Sequence, residues 1–177
     1  MRALSLWQPW AWAVLHAGKK IENRTAWKHA PRWRGEFLIH AAIGYGTRDD
    51  FDEAVEMILE VAKPAAGPER LKFLSTLAQM QIGGRGRHHA SGLWVPRPEL
   101  PRGALVGRAR LDGVIRNEAE FAAYAANTPD GEAQRPWWLG GFALLLADVQ
   151  ALDKPIPWKG KQGWFDVPDS ALAGDAR

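Results

Sequence analysis

Cysteine is absent from the 177-residue chain, which removes any disulfide framework and any thiolate metal site and points to a reducing compartment. Long apolar runs are absent too: nothing approaches the ~20 residues that a membrane-spanning helix needs. The opening MRALSLWQPW lacks the apolar core and small-residue cleavage site of a secretory signal. These absences lead us to expect a cytoplasmic protein with no membrane partner. Cofactor signatures are equally scarce. The glycine-rich stretch GGRGRH follows a predicted helix and lacks the GK[ST] ending of a phosphate-binding loop. Five histidines occur without an HExxH pair, so no metal or other cofactor is expected. None of Ser5, Ser75, Ser91 and Ser170 sits in a nucleophile-elbow sequence, so a classical serine or cysteine hydrolase is not expected.

What the chain does have is tryptophan, ten of them, and charge in blocks. Residues 1–48 hold eight Lys/Arg against two acids and 49–69 one against seven. Residues 70–116 then hold nine against two and 117–153 one against six. The net charge of +3 therefore hides two basic segments separated by acidic ones. If the basic segments share a face, that face attracts a polyanion; otherwise the charge serves only solubility.

The length suits one domain, residues 1–177, with a real core. Residues 2–7 read as a short strand. Pro9 suits the first position of a helix that runs to Gly18, a good C-terminal stop. Its apolar stripe is Trp10, Ala11, Val14 and Leu15, with Trp12, His16 and Lys19 on another face. That pattern predicts Trp7 and Trp10 in the core and Trp12 at lesser depth. KKIENRTAW reads as a strand with Ile21, Asn23 and Thr25 opposite Lys20, Glu22 and Arg24. RWRGEFLIHAA is a second, with Phe37, Ile39 and Ala41 opposite Glu36, Leu38 and His40. DDFDEAVEMILEVAK and ERLKFLSTLAQMQI read as helices, and GGRGRHHASG as a basic loop. RGALVGRARLDGVI and GGFALLLADVQAL are long strands separated by a short helical piece, and a last strand is expected around Trp164. The layout is α+β, mainly β: about five or six strands in a small closed or half-closed sheet, with helices at its rim and a helical and loop insertion at about 47–98.

Lys19, Lys20, Glu22 and Arg24 form the densest polar cluster beside the tryptophans. One carboxylate among cations can accept from an exocyclic amine or serve as a general base, and the cations can hold phosphate or an oxyanion. The same residues also make an ordinary cross-strand ion pair, contributing about 0–1 kcal/mol. Bases stack on exposed aromatics for roughly 1–3 kcal/mol each. Trp10, Trp12, Trp27, Trp33 and Trp158 are the candidates, although taken singly a tryptophan is more often core than site. His40 is either buried against backbone or turned to a cleft beside Arg24 and Arg34. His16 and His29 are expected at the surface.

Four ordered segments, LSLWQPWAWAVLHAGKKIENRTAW, WRGEFLIHAA, LPRGALVGRARL and PIPWKGKQGWFDVP, resemble the ASCH domain, a relative of the PUA domain. That family opens with LSL-x-QPWA, continues with G-x-K-T-I-E-x-R-x-W and a strand G-x-L-x-IHA, and often closes with PIP-x-KG-x-x-G-x-W/F. Gly18 falls one position late in this alignment, Lys19 takes the motif lysine position and Lys20 replaces the motif threonine. The resemblance implies a PUA-like β-barrel with a cleft that binds single-stranded RNA or a modified nucleoside. It also implies two enzymatic precedents, with Lys19 and Glu22 as the catalytic candidates: metal-independent cleavage of single-stranded RNA, and hydrolysis of N4-acetylcytidine. The second uses a lysine and a threonine in this strand. Lys19 matches that lysine, and Glu22 stands where the threonine nucleophile would be. A binding or adaptor role without turnover is the third alternative. The substrate-binding set expected from residues and resemblance together is Gln8, Trp10, Trp12, Arg24, Arg34 and His40, with Lys159 and Lys161 at the rim.

Overall fold

The computed structural model describes residues 1–25, 31–44 and 100–172, together with positions 54, 57, 58 and 61 and the backbone of 87–88 and 94–95. The chain begins with β1 (Arg2–Leu6), followed by α1 (Trp10–His16), β2 (Ile21–Arg24) and β3 (Gly35–Ala41). The short strands β4 (Arg87–His88) and β5 (Trp94–Val95) pair with each other. Then come β6 (Ala104–Ile115), α2 (Glu118–Asn127), a 3-10 segment (Glu132–Trp137), β7 (Phe142–Pro157) and β8 (Trp164–Asp166).

Six strands form one mixed sheet in the order β2-β7-β6-β3-β1-β8, curled into a half-barrel. β1 runs parallel to β3, which places Ser5 beside His40. The other pairings are antiparallel. The ladder between β3 and β6 shifts register between Ile39 and His40, the kind of irregularity that re-aims a side chain. Alternation along β3 is as expected. Phe37, Ile39 and Ala41 join the main core with Leu4, Leu6, Val14, Leu111 and Leu144. Leu38 faces a smaller cluster with Leu105 and Phe165.

The first helix departs from its predicted stripe. Ala11 and Val14 enter the main core, but Trp12 and Ala13 enter a second apolar cluster with Ile21, Ile58, Phe121 and Trp137. A helix packed on two sides has no single amphipathic face, and the second layer comes from distant segments that local periodicity cannot show. Trp12 is therefore core, at 5% exposure, against the expectation that it lies at lesser depth. Trp7 is the converse. β1 ends at Leu6, so Trp7 falls beyond the strand and stands 51% exposed instead of joining the core.

Of the expected helix over 49–63, the described positions are helical, with Ala54 and Ile58 buried. The second expected helix lies outside the described residues. The predicted basic loop contains Arg87 and His88 in strand pairing rather than loop. No helix among the described residues is long and apolar enough to cross a membrane.

Candidate functional site

Three local devices aim the polar residues of β2 at one place. Pro9 offers α1 no side-chain cap, and Gln8 supplies one instead: its Oε1 accepts from the Trp12 backbone N–H at 3.1 Å while its Nε2 donates to Pro101 O at 2.9 Å. At the other end Gly18, at φ 71°, turns the chain so that the Lys19 N–H bonds back to Ala13 O. A left-handed residue there is what glycine adopts without steric cost. Buried Gln134 then clamps this turn, donating to Gly18 O at 3.0 Å and accepting from the Lys20 N–H at 2.7 Å. The turn sends Lys19 inward.

Lys19 is 2% exposed and Glu22 8%. Lys19 Nζ donates to Glu22 Oε2 at 2.8 Å and also to Ile21 O, and lies 5.4 Å from the centre of the Trp10 ring. Arg24 Nη2 is 3.5 Å from Glu22 Oε1 and donates to Ser5 O at 3.4 Å. Its Nε is buried without a hydrogen-bond partner. One carboxylate thus sits between two cations, and little solvent screens the inner pair.

These three residues open on a cavity of about 850 Å³, lined also by Ser5, Trp7, Trp10, His40, Ile43 and Leu139, and by the 159–163 loop. Trp7, Ile43 and Leu139 are exposed and meet at this cavity. Asn23 fixes the Leu139 side of it, donating to Trp137 O at 2.8 Å and accepting from the Leu139 N–H at 3.1 Å. Lys159 and Lys161 lie exposed on the lining loop.

His40 combines both readings open to it. It is buried and hydrogen-bonded, and it lines the cavity. Nδ1 lies 2.9 Å from Ser5 Oγ and Nε2 3.1 Å from Trp158 O. Burial lowers its pKa, with the Trp158 hydrogen bond opposing. A carbonyl only accepts, so this partner assigns the ring hydrogen to Nε2.

Of the residues expected at the site, the cavity gathers Lys19, Glu22, Arg24, His40, Trp10, Lys159 and Lys161. Three stay outside its lining. Gln8 is spent on capping α1 and on Pro101. Trp12 is packed in the second core cluster. Arg34 is exposed beyond the start of β3 and donates to Pro31 O and Trp33 O. Among the other stacking candidates, Trp33 packs edge-on against Phe37 and Trp164, Trp158 packs against the Leu38 cluster, and Trp27 lies outside the described residues, as does His29. His16 is exposed, as expected.

Trp7, Ser5, Asn23, Ile43 and Leu139 were not among the candidates. Ser5 had a signal, being the polar residue within the apolar stretch of RALSL; Ile43 and Leu139 lie outside helix and strand and had none. Among the described residues no three His, Asp or Glu gather as a metal site.

The family model described as ASCH domain matches residues 4–150 of this chain. Six solved chains are similar. One, the crystal structure of ASCH from Zymomonas mobilis, is 14% identical, with 97% of this chain and 90% of that chain covered at a TM-score of 0.45. No curated protein matches the sequence.

Proposed function

The chain belongs to the ASCH domain family, and on that premise we propose that its cavity binds single-stranded RNA or a nucleoside-like ligand, in the cytoplasm. One observation carries the reading: exposed Trp7, Ile43 and Leu139 meet at a cavity that also holds Lys19, Glu22 and Arg24. An aromatic and aliphatic mouth suits the face of a base. The Glu22 carboxylate suits an exocyclic amine, and Arg24, Lys159 and Lys161 suit phosphate.

A finer reading is metal-independent cleavage of the bound RNA. There the 2′-hydroxyl of the RNA forms the bond to phosphorus as the neutral His40 ring takes its proton. The bond from phosphorus to the 5′-oxygen breaks, that oxygen takes the proton back from His40, and Arg24 offsets the charge that develops on the phosphate. The N4-acetylcytidine reading has less support in its family form, because Glu22, in the nucleophile's position, is already bonded to Lys19. The test is a tryptophan-fluorescence titration of wild type and Trp7→Ala with single-stranded RNA and with free nucleosides, followed by incubation of labelled RNA in EDTA. Binding that weakens roughly 5- to 150-fold in Trp7→Ala, equivalent to ~1–3 kcal/mol of stacking, supports the reading. No binding of either ligand refutes it.

A further inference from the structure

Ser5 and His40 are 35 residues apart in sequence and are brought side by side by the parallel register of β1 and β3. With Nε2 carrying the ring hydrogen toward Trp158 O, Nδ1 of the neutral ring presents a lone pair to Ser5 Oγ at 2.9 Å. The hydroxyl has one hydrogen and two acceptors within reach, Nδ1 and Lys161 O at 2.6 Å. The ring is held from the loop side as well. A Cβ on Gly160 would lie 2.2 Å from His40 Cε1, so the glycine permits the close approach that fixes the imidazole. Beside this pair stands Arg24, bonded to the Ser5 carbonyl and with a buried Nε–H that no group accepts. A base held by a third group, a hydroxyl on that base and a partly exposed guanidinium lining the same cavity are the parts of covalent acyl transfer.

We propose that Ser5 and His40 are a nucleophile and base that hydrolyse carboxylic esters admitted to this cavity. Ser5 Oγ forms the bond to the acyl carbon as its proton passes to His40 Nδ1, and the carbonyl electron pair moves onto the oxygen beside Arg24. Collapse of that oxyanion breaks the bond to the leaving alkoxide, which takes the proton from His40, and the acyl group remains on Ser5. Water then forms a bond to the acyl carbon while His40 takes its proton, the bond from that carbon to Ser5 Oγ breaks, Oγ takes the proton from His40, and the acid leaves. The ring is oriented by a neutral carbonyl rather than a carboxylate, so the imidazolium gains less stabilisation than in a Ser-His-Asp triad. An ester, whose leaving group needs less protonation than an amine, is the matching substrate class. The proposal does not rest on the RNA reading: ester turnover and RNA titration are scored separately.

The experiment uses the full chain with p-nitrophenyl acetate and with a fluorophosphonate. A burst of one p-nitrophenol per protein is expected, together with one phosphonyl group on the peptide carrying Ser5. Ser5→Ala and His40→Gln should each lower turnover by roughly 100-fold or more. The rate should rise with pH through a midpoint below the usual histidine value, since burial favours the neutral ring and outweighs the opposing hydrogen bond to Trp158 O. If Ser5→Ala folds poorly, Ser5→Cys keeps the packing, and alkylation of its thiol by iodoacetamide should slow about tenfold or more when His40→Gln is added. Acyl or phosphonyl groups found on lysines instead, no adduct at all, or a natively folded Ser5→Ala that keeps its rate would overturn the proposal.

Discussion

The buried Lys19–Glu22 pair makes a prediction whose size follows from its surroundings. Lys19 is 2% exposed, and among the described residues its ammonium hydrogen-bonds Ile21 O and Glu22 and faces the Trp10 ring. Glu22→Leu leaves that ammonium buried with a carbonyl and the Trp10 ring but no counter-charge, and removing one partner of a buried pair costs about 3–5 kcal/mol. Lys19→Met is milder, because Glu22 keeps Arg24 at 3.5 Å, and a loss of about 2 kcal/mol is expected. The double variant removes both charges and replaces them with apolar groups of similar volume, a change that is often neutral or stabilising. The two single effects should therefore not add. A coupling of at least about 2 kcal/mol is expected, well above the ~0.5 kcal/mol by which independent sites deviate. Urea melts followed by circular dichroism and tryptophan fluorescence measure it. For a chain of this length Glu22→Leu should lower Tm by roughly 10 °C, at ~2–4 °C per kcal/mol. Additive single effects, or a Glu22→Leu cost below about 1 kcal/mol, would show that water reaches Lys19 and that the pair behaves as a surface one.

Trp12→Ala should cost about 3–5 kcal/mol of stability, as a truncated core tryptophan does, while Trp7→Ala should cost less than about 1 kcal/mol and act on binding; denaturant midpoints of the two variants decide. Gly160→Ala should push the His40 ring off Ser5 and Trp158, visible as a shifted imidazole resonance with secondary structure unchanged. RNA affinity should fall with log salt at a slope near −2 if Arg24, Lys159 and Lys161 each meet a phosphate, at about −0.7 per contact; a flat response would leave those cations without a polyanion. Acid stability carries a sign. Burial lowers the folded pKa of His40, so the unfolded chain binds that proton first, and stability is lost as pH falls from the unfolded value of about 6.5 toward the folded one. His40→Gln should remove this part of the slope in urea midpoints measured between about pH 7.5 and 5. An unchanged slope would place the titration elsewhere; among the described residues His16, solvent-exposed on one side and packed against Trp12 on the other, also has its pKa lowered by desolvation.

Strands were legible wherever one face meets the core and the other does not. β3 and β8 fall where alternation and the Trp164-Phe165-Asp166 stretch put them, and the long antiparallel partners β6 and β7 were visible as long strand patterns. The first helix was legible as a helix but not in its orientation. The side occupied by Trp12 is covered by Ile58, Phe121 and Trp137, residues 46 or more positions away that no window centred on Trp12 contains. Trp7 failed for a different reason: alternation assigns it a face only if the strand continues, and the strand stops one residue earlier.

The site was legible to the extent that it is local. Lys19, Glu22 and Arg24 share one turn and one strand, and their convergence follows from that spacing once Gly18 turns the chain. What no spacing carries is the juxtaposition of Ser5 with His40, because a parallel pair of strands can be set in many registers. Each residue nonetheless left a trace, as the polar residue within the apolar stretch of its strand, RALSL and GEFLIHA in turn, whose other polar members, Arg2 and Glu36, lie exposed toward the strand starts. A buried polar side chain in such a position must find a partner or cost about 1–3 kcal/mol. Two strands that each carry one unmet polar group are most simply reconciled by pairing them in the register that lets the groups meet. That register is the one observed between β1 and β3, Ser5 beside His40.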